Sequence, residues 1–313
     1  MHPGICNIAL HFLTGLGAYA AIIFLFDCLK SPFNIFWNTI FSNSKPFKTR
    51  YGPWAVITGS SDGIGKQYAF NLASKGMNVF LISRTESKLI KIAEEIQSKH
   101  AVDVKWLSID FSKSQQIYED ISEALSGLDI GMLVNNVGTT HQYPLEFDRV
   151  LRNELQQIIS VNIETALMMT HMVLPGMKRR RRGIIINMSS AAGLSPMPHV
   201  SVYAASKAFI NHFTLALKEE LRGTGVECQL VYPLFIVTNL TGHLLTVNWW
   251  AFLATGVKKF TKFAVFTIGK TDCTTGFWRH GLQLTILKIC NPLMSLKIFS
   301  FAVQSLGGKS HGQ

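Results

Sequence analysis

The chain has 313 residues, 48% of them hydrophobic, enough for one large α/β domain with a substantial core and too short for a second full domain beside it. Its five cysteines, Cys6, Cys28, Cys228, Cys273 and Cys290, include no Cys-x-x-Cys pair, which argues against a disulfide framework or a metal site and fits a reducing compartment. The net charge of +11 is concentrated in a few places, notably Lys178-Arg179-Arg180-Arg181-Arg182, with no nucleic-acid module around it, so nucleic acid is not an expected partner, and a solvated helix end is favoured over a lipid or coenzyme A phosphate contact.

Ile5 to Phe26 carries no charged side chain. At about 1.5 Å per residue it just crosses a hydrocarbon core of roughly 30 Å. Asp27 and Lys30 close this run, and Lys45, Lys48 and Arg50 follow. The positive-inside bias then puts the main domain in the cytosol, with Met1 to Gly4 across the bilayer. A cleaved signal peptide is the competing reading, but the segment lacks a basic leader and its apolar run is long for one. Residues 1–50 therefore read as a membrane anchor and linker. Residues 27–52 form the linker, with Phe33, Phe36 and Trp37 placed for the headgroup region of the lipid.

Residues 51–313 read as alternating strands and helices. Trp54 to Thr58 is a buried strand, Ile64 to Lys75 a helix stopped by Gly76, and Asn78 to Ser83 the next strand. A helix capped by Thr85 or Ser87 runs to Lys99, and Val104 to Ile109 is the third strand. Ile117, Ile121 and Leu125 mark a helix. Met132 to Val134 is a strand leading into Asn135-Asn136, and a long helix ends at Met177. Ile184 to Ile186, a helix from Tyr203 to Arg222, and Cys228 to Tyr232 complete six strands. The expected fold is α/β, a doubly wound parallel sheet of Rossmann type. Residues 234–313 read as a substrate lid that can contact the membrane. Within them, Trp249 to Leu253 and Leu282 to Leu306 are strongly apolar, and Asn239-Leu240-Thr241 is a glycosylation sequon that a cytosolic domain leaves unmodified.

The first chemical signal is strand, then Gly59-Ser60-Ser61-Asp62-Gly63-Ile64-Gly65, then helix. Such a loop sets backbone N–H groups against a pyrophosphate at a helix N-terminus, and a Cβ at the glycines would block the approach. After the second strand comes Arg84, where an acidic residue would suit a ribose 2′-hydroxyl. A guanidinium there suits a 2′-phosphate, so NADPH/NADP+ is favoured over NADH/NAD+, with Lys66 assisting. Asp110, after the third strand, lines the adenine pocket in this reading. Asn135 and Asn136 brace the central strands beside the cofactor.

The second signal is Asn162, Ser190, Tyr203 and Lys207. Tyr203 and Lys207 are four apart and share a helix face. A phenol titrates near ~10, and a nearby ammonium lowers that value. Tyr203 can then exchange a proton with a carbonyl oxygen while Ser190 polarises the same oxygen. Lys207 also grips the nicotinamide ribose, and Asn162 holds a water that relays protons toward it.

Together these residues resemble the short-chain dehydrogenase/reductase family over roughly Trp54 to Thr238. Gly52 to Gly59, Asp62 to Lys66, Leu81 to Arg84 and Val134 to Gly138 are similar to its 17β-hydroxysteroid dehydrogenase and very-long-chain 3-oxoacyl-CoA reductase branch. Val173 to Met177 and Thr274 to Trp278 resemble the hydroxysteroid dehydrogenase-like subgroup. Members of that subgroup can lack the catalytic tyrosine, which this chain retains as Tyr203. The resemblance implies that Thr238 joins the cofactor site. It also implies a homodimer through the helices around Leu151 to Met177 and Tyr203 to Arg222. A lipophilic substrate follows from it, a steroid 17-keto group or a long-chain 3-oxoacyl-CoA. The endoplasmic reticulum membrane is the implied location, with the mitochondrion as the alternative. A cofactor-binding scaffold with little turnover is the rival reading. Val137 stands where many relatives have alanine and Leu234 follows Pro233 where the wider family often has glycine. No seventh strand is evident after Thr238.

Overall fold

The computed structural model describes residues 3–40, 45–113, 116–141, 143–238 and 254–289. The chain divides into two compact units, Met1–Ser44 and Lys45–Gln313. The sequon at Asn239 to Thr241, the run Trp249 to Leu253 and the part of the last apolar run beyond Ile289 lie outside the described residues.

The first unit is one helix, α1 (Pro3–Ile40), with Pro32 inside it. Its stretch Leu10–Lys30 spans 21 residues at mean hydropathy 1.9, with none of that window buried. Helix thus continues through much of the segment expected to be linker. Pro32 removes one N–H, while Phe33 and Trp37, four apart, stack at 5.8 Å and support the helix around it.

The second unit opens with α2 (Phe47–Tyr51). Tyr51 is buried, and its hydroxyl donates to Glu227 at 2.9 Å. Next come β1 (Trp54–Thr58), α3 (Gly63–Ala73), β2 (Asn78–Ser83), α4 (Glu86–Lys99), β3 (Val104–Ser108), α5 (Ile117–Leu125) and β4 (Ile130–Asn135). α6 (Arg152–Ile159) runs through a π turn at Ser160–Glu164 into α7 (Thr165–Arg180). β5 (Gly183–Met188), α8 (Ser201–Glu220) and β6 (Val226–Val231) complete the expected series. β7 (Ile236–Val237) pairs with β8 (Thr255–Gly256) in a small parallel sheet, followed by α9 (Val257–Phe266), β9 (Cys273–Thr274) and α10 (Trp278–Ile289).

The main sheet is parallel and ordered β3-β2-β1-β4-β5-β6-β9. Its seventh strand is β9, two residues long, paired to β6 through Leu230↔Cys273 and Val231↔Thr274. A strand that short has no readable alternation, which is why it was not evident in the sequence. The order reverses between β1 and β4, so the crevice for a ligand lies beyond their C-terminal ends.

Strand alternation divides the core in two. Ala55, Ile57, Leu81 and Val134 pack with Tyr68 and Leu72 of α3 and Phe260 of α9 on one face. Val56, Phe80, Ile82, Leu133 and Ile185 pack with Ile121, Met169, Val173 and Leu217 on the other. The stretch Arg152–Arg180 is also apolar enough to cross a membrane, but 44% of its window is buried, consistent with its place in this core.

The basic run closes α7. Arg180 and Arg182 pair with Asp129 at 2.6 and 2.5 Å, and Arg181, in the left-handed conformation, donates to the Gly223 carbonyl. These arginines lie at the N-terminal end of β5. A six-residue strand is about 20 Å long, so the run sits across the sheet from the glycine loop and does not line the crevice. The contact with coenzyme A weighed from the sequence finds no support in this placement.

Candidate active site

The loop after β1 is shaped by contacts that leave no room for side chains. Gly59 has φ +66, and a Cβ on it would stand 2.9 Å from Val137 Cα. A Cβ on Gly65 would stand 2.3 Å from the Gly59 carbonyl oxygen. Asn136 ties the same loop down: its Nδ2 donates to the carbonyls of Thr58 and Gly59 at 3.0 and 3.2 Å. Thr58 Oγ1 accepts from the backbone N–H groups of Asn136 and Val137. Asn135 reaches sideways instead, to Thr170 Oγ1 at 3.0 Å and Asn187 Oδ1 at 2.8 Å. The two asparagines therefore brace the strand ends as their position suggested.

Asp62 caps α3 by accepting from Gly63 N at 2.7 Å. Gly63 has φ +54, and among the described residues a Cβ on it would come into ordinary contact with Thr238, at 3.5 Å. Ile64 packs against the core face that α3 covers. The first-turn N–H groups of α3 have no intrahelical acceptors, the arrangement that suits a phosphate group at a helix N-terminus. Ser60 is buried with its hydroxyl 3.3 Å from the Ile82 carbonyl, and Ser61 Oγ lies 2.7 Å from Ser83 Oγ. The loop is thereby fixed against the end of β2, where Arg84 stands exposed.

Asp110 is close enough to Arg84 to feel its charge. Burial raises the Asp110 pKa, but hydrogen bonds from Ser112 together with the charges of Arg84 and Lys113 leave it below its ordinary value. Lys66 does not join Arg84. Its ammonium lies 3.7 Å from Glu95 and over the Phe70 ring.

The four proposed catalytic residues converge on the end of β5. Ser190 follows that strand, near enough to Tyr203 to lower the phenol pKa. Ser190 Oγ also accepts from Ala192 N at 3.1 Å, capping the short turn Ala191–Leu194. Lys207 is buried, its Nζ donating to the Met188 carbonyl at 3.1 Å, while Ser189 Oγ donates to the Lys207 carbonyl at 2.9 Å. This exchange of bonds fastens α8 to the end of the strand. Lys207 Nζ stands 5.9 Å from the centre of the Tyr203 ring.

Electrostatics differ from the expectation of a lowered phenol pKa. Tyr203 keeps part of its surface open, yet burial raises its pKa and the neighbouring Ser190 hydroxyl opposes only part of that rise. Lys207 is lowered to about 8 by desolvation. At neutral pH the phenol is therefore in its proton-donating form.

Asn162 lies in the π turn between α6 and α7, a local widening that often marks functional sites. Its Oδ1 accepts from Thr139 N at 2.8 Å, and its Nδ2 donates to the Thr139 carbonyl and to Ser206 Oγ, both at 2.9 Å. Both amide hydrogens are engaged, so a water bound here would use the remaining Oδ1 lone pair. A Cβ on Gly138 would lie 3.4 Å from both Asn162 Oδ1 and Lys207 Nζ, so that glycine borders both side chains. Thr139 and Ser206 were not singled out in the sequence, though Ser206 directly precedes Lys207 and Thr139 directly follows the Asn135-Asn136-Val137-Gly138 run.

A family model described as short chain dehydrogenase matches residues 53–247. The human protein named inactive hydroxysteroid dehydrogenase-like protein 1 is 41% identical over 234 residues, covering 75% of this chain and 71% of that one. The very-long-chain 3-oxoacyl-CoA reductase of Mus musculus is 37% identical over 298 residues, covering 94% of each. Among solved structures, one from work on 7β-hydroxysteroid dehydrogenase stereoselectivity superposes with a TM-score of 0.75 at 26% identity, covering 82% of this chain and all of that one. A short-chain dehydrogenase from Sphingobium yanoikuyae in complex with NADPH gives 0.65 at 25% identity, covering 71% of this chain and 87% of that one.

Proposed function

The chain belongs to the short-chain dehydrogenase family of oxidoreductases acting on CH–OH groups, and on that premise we propose that it is an NADPH-preferring reductase of a lipophilic ketone. The observation that carries the reading is the arrangement at the end of β5, where Lys207 Nζ donates to the Met188 carbonyl and stands 5.9 Å from the centre of the Tyr203 ring, with Ser190 close enough to that phenol to oppose the rise of its pKa.

The bound dinucleotide would supply a hydride to the carbonyl carbon. The chain's own residues supply the rest. Ser190 Oγ and Tyr203 Oη, on neighbouring segments after β5, both hydrogen-bond the substrate oxygen. As negative charge grows on that oxygen, the two donors stabilise it in a site poor in water. Tyr203 then gives its proton to the oxygen. The buried Lys207 ammonium favours the phenolate that remains. Asn162 holds the Thr139 turn and Ser206 in place behind Lys207, keeping its path to a proton source in register. The 2′-phosphate would meet Arg84, which a carboxylate at that position would repel.

A long-chain 3-oxoacyl thioester is the leading substrate and a ketosteroid the second, because relatives bearing those names align across most of the chain. The α1 stretch is read as the anchor that holds the domain in the cytosol at the endoplasmic reticulum membrane. The scaffold reading is favoured by one observation, the word inactive in the names of several relatives. Incubating the purified full chain with NADPH and a panel of 3-oxoacyl-CoAs and ketosteroids decides the matter. Substrate-dependent NADPH oxidation supports the reductase. NADPH binding without oxidation by any ketone supports the scaffold.

A further inference from the structure

α10 carries an apolar stripe on its outer face. Trp278, Leu282 and Ile286 stand at i, i+4 and i+8 and are 61, 57 and 54% exposed. The opposite face is committed to the protein. His280 is fully buried, its ring 6.0 Å from Phe260 and edge-on to Phe277 at 5.8 Å. The helix is therefore fixed by its inner side, with its large side chains turned away from the core. A stripe of one tryptophan and two aliphatic residues repeating every helical turn is more than the scattered surface apolar residue that needs no explanation.

The neighbouring helix supplies charge. α9 buries Phe260, Thr261, Ala264 and Val265, with Asn71 of α3 donating to Thr261 at 3.0 Å. Its exposed residues include Lys258, Lys259 and Lys262. The two helices meet where Phe263, preceded by Lys259 and Lys262 on α9, packs edge-on against Phe277 at 6.1 Å, next to Trp278. From residue 254 to 289 the chain has six lysines and arginines and a single acid, Asp272, whose carboxylate is held by Lys218 at 2.8 Å.

We infer that α9 and α10 form a second membrane-contact surface, which rests on an anionic bilayer with Trp278, Leu282 and Ile286 among the acyl chains and the α9 lysines among the headgroups. Apolar residues with a tryptophan, flanked by lysines and nearly free of acids, are the pattern of a helix lying in an interface. Lysines close to an anionic leaflet are attracted to it, and they argue for this occupant over a neutral apolar partner. The same chain carries α1, long and apolar enough to span, which supplies a bilayer to meet. α9 follows directly on β8, whose Thr255 pairs with Ile236, two residues before Thr238. The surface therefore flanks the mouth of the crevice, where a substrate dissolved in the membrane would enter.

The full chain is reconstituted in vesicles of phosphatidylcholine alone and in vesicles with added phosphatidylserine, both doped with a photoactivatable acyl-chain analogue. Adducts are then mapped by mass spectrometry. The expected result is labelling of the Trp278–Ile289 peptide in the anionic vesicles, lost in the neutral ones, with α1 labelled in both. In the Lys258→Glu/Lys259→Glu/Lys262→Glu variant the α10 labelling is expected to disappear while α1 labelling stays. An unlabelled α10 beside a labelled α1 in anionic vesicles overturns the inference, as does labelling of neither helix. Equal α10 labelling in both lipids overturns the role given to the lysines. The lipid comparison needs no variant, so a misfolded triple variant leaves the test intact. The readout requires no turnover, so its failure leaves the reductase reading standing.

Discussion

Gly193 and Lys207 touch so closely that a Cβ on the glycine would lie 2.5 Å from the lysine's carbonyl carbon and 2.6 Å from the next backbone nitrogen. The turn that presents Ser190 can settle on α8 only because position 193 has no side chain. Asn211 completes the seat by donating to the Gly193 carbonyl at 3.0 Å. Gly193→Ala should push the turn off the helix and draw Ser190 away from Tyr203. A displacement of about 1 Å in such a group costs on the order of 100-fold in rate. The cofactor loop lies elsewhere, so NADPH affinity should change little. Steady-state turnover with a parallel binding titration checks this, and a fully active variant would remove Ser190 from the step.

Tyr203→Phe keeps the ring and loses the only proton the mechanism donates. Turnover should fall by about 10²- to 10⁴-fold, while NADPH binding, followed by fluorescence, stays near the wild-type value. Retained activity would exclude the role assigned to the phenol.

Arg84→Asp replaces the exposed cation after β2 with the residue type that suits a 2′-hydroxyl. A charge-assisted hydrogen bond contributes about 1.5–3 kcal/mol, so NADPH affinity should drop by roughly 10- to 100-fold relative to NADH. An unchanged preference, measured as the ratio of kcat/KM for the two cofactors, would detach Arg84 from the 2′-phosphate.

Much of this site could be read before the fold was known, and for a local reason. The glycine loop, the Tyr203–Lys207 spacing and Ser190 each sit at the junction of one strand and one helix, where periodicity changes visibly in the sequence. What escaped reading depends on contacts between distant segments. The π turn that carries Asn162 has no composition of its own. The two residues of β9 acquire strand character only from Leu230 and Val231 alongside them. Lys66 seemed free to assist Arg84, but one turn of α3 carries it toward Glu95. The run Lys178 to Arg182 declared its charge and not its side of the sheet. That side follows from β5 running parallel to its neighbours, which places the end of α7 opposite the crevice.

The last prediction concerns pH. Desolvation lowers the Lys207 pKa to about 8 in the folded protein, against 10.5 for the free group. Below pH 8 the lysine is charged in both states, and the fold bears the cost of a buried ammonium. Between pH 8 and about 10.5 it is neutral when folded and charged when unfolded. The unfolded state then binds more protons, so this group's contribution to stability rises with pH across that window. Tyr203, Tyr68 and Tyr51 act in the opposite sense at higher pH, because burial raises their pKa values and their unfolded forms ionise first. Comparing the wild type with Lys207→Met cancels Tyr68 and Tyr51, which both proteins share, and below pH 10 the Tyr203 phenol is protonated in both. Lys207→Met removes the bond to Met188 at every pH and the buried charge only where there is one. The Tm of the variant minus that of the wild type should therefore fall as pH rises from 7 to 10, by about 2–4 °C for each kcal/mol involved. A difference that stays constant over that range would show that Lys207 is solvated in the folded state, and the account of its depressed pKa would fail with it.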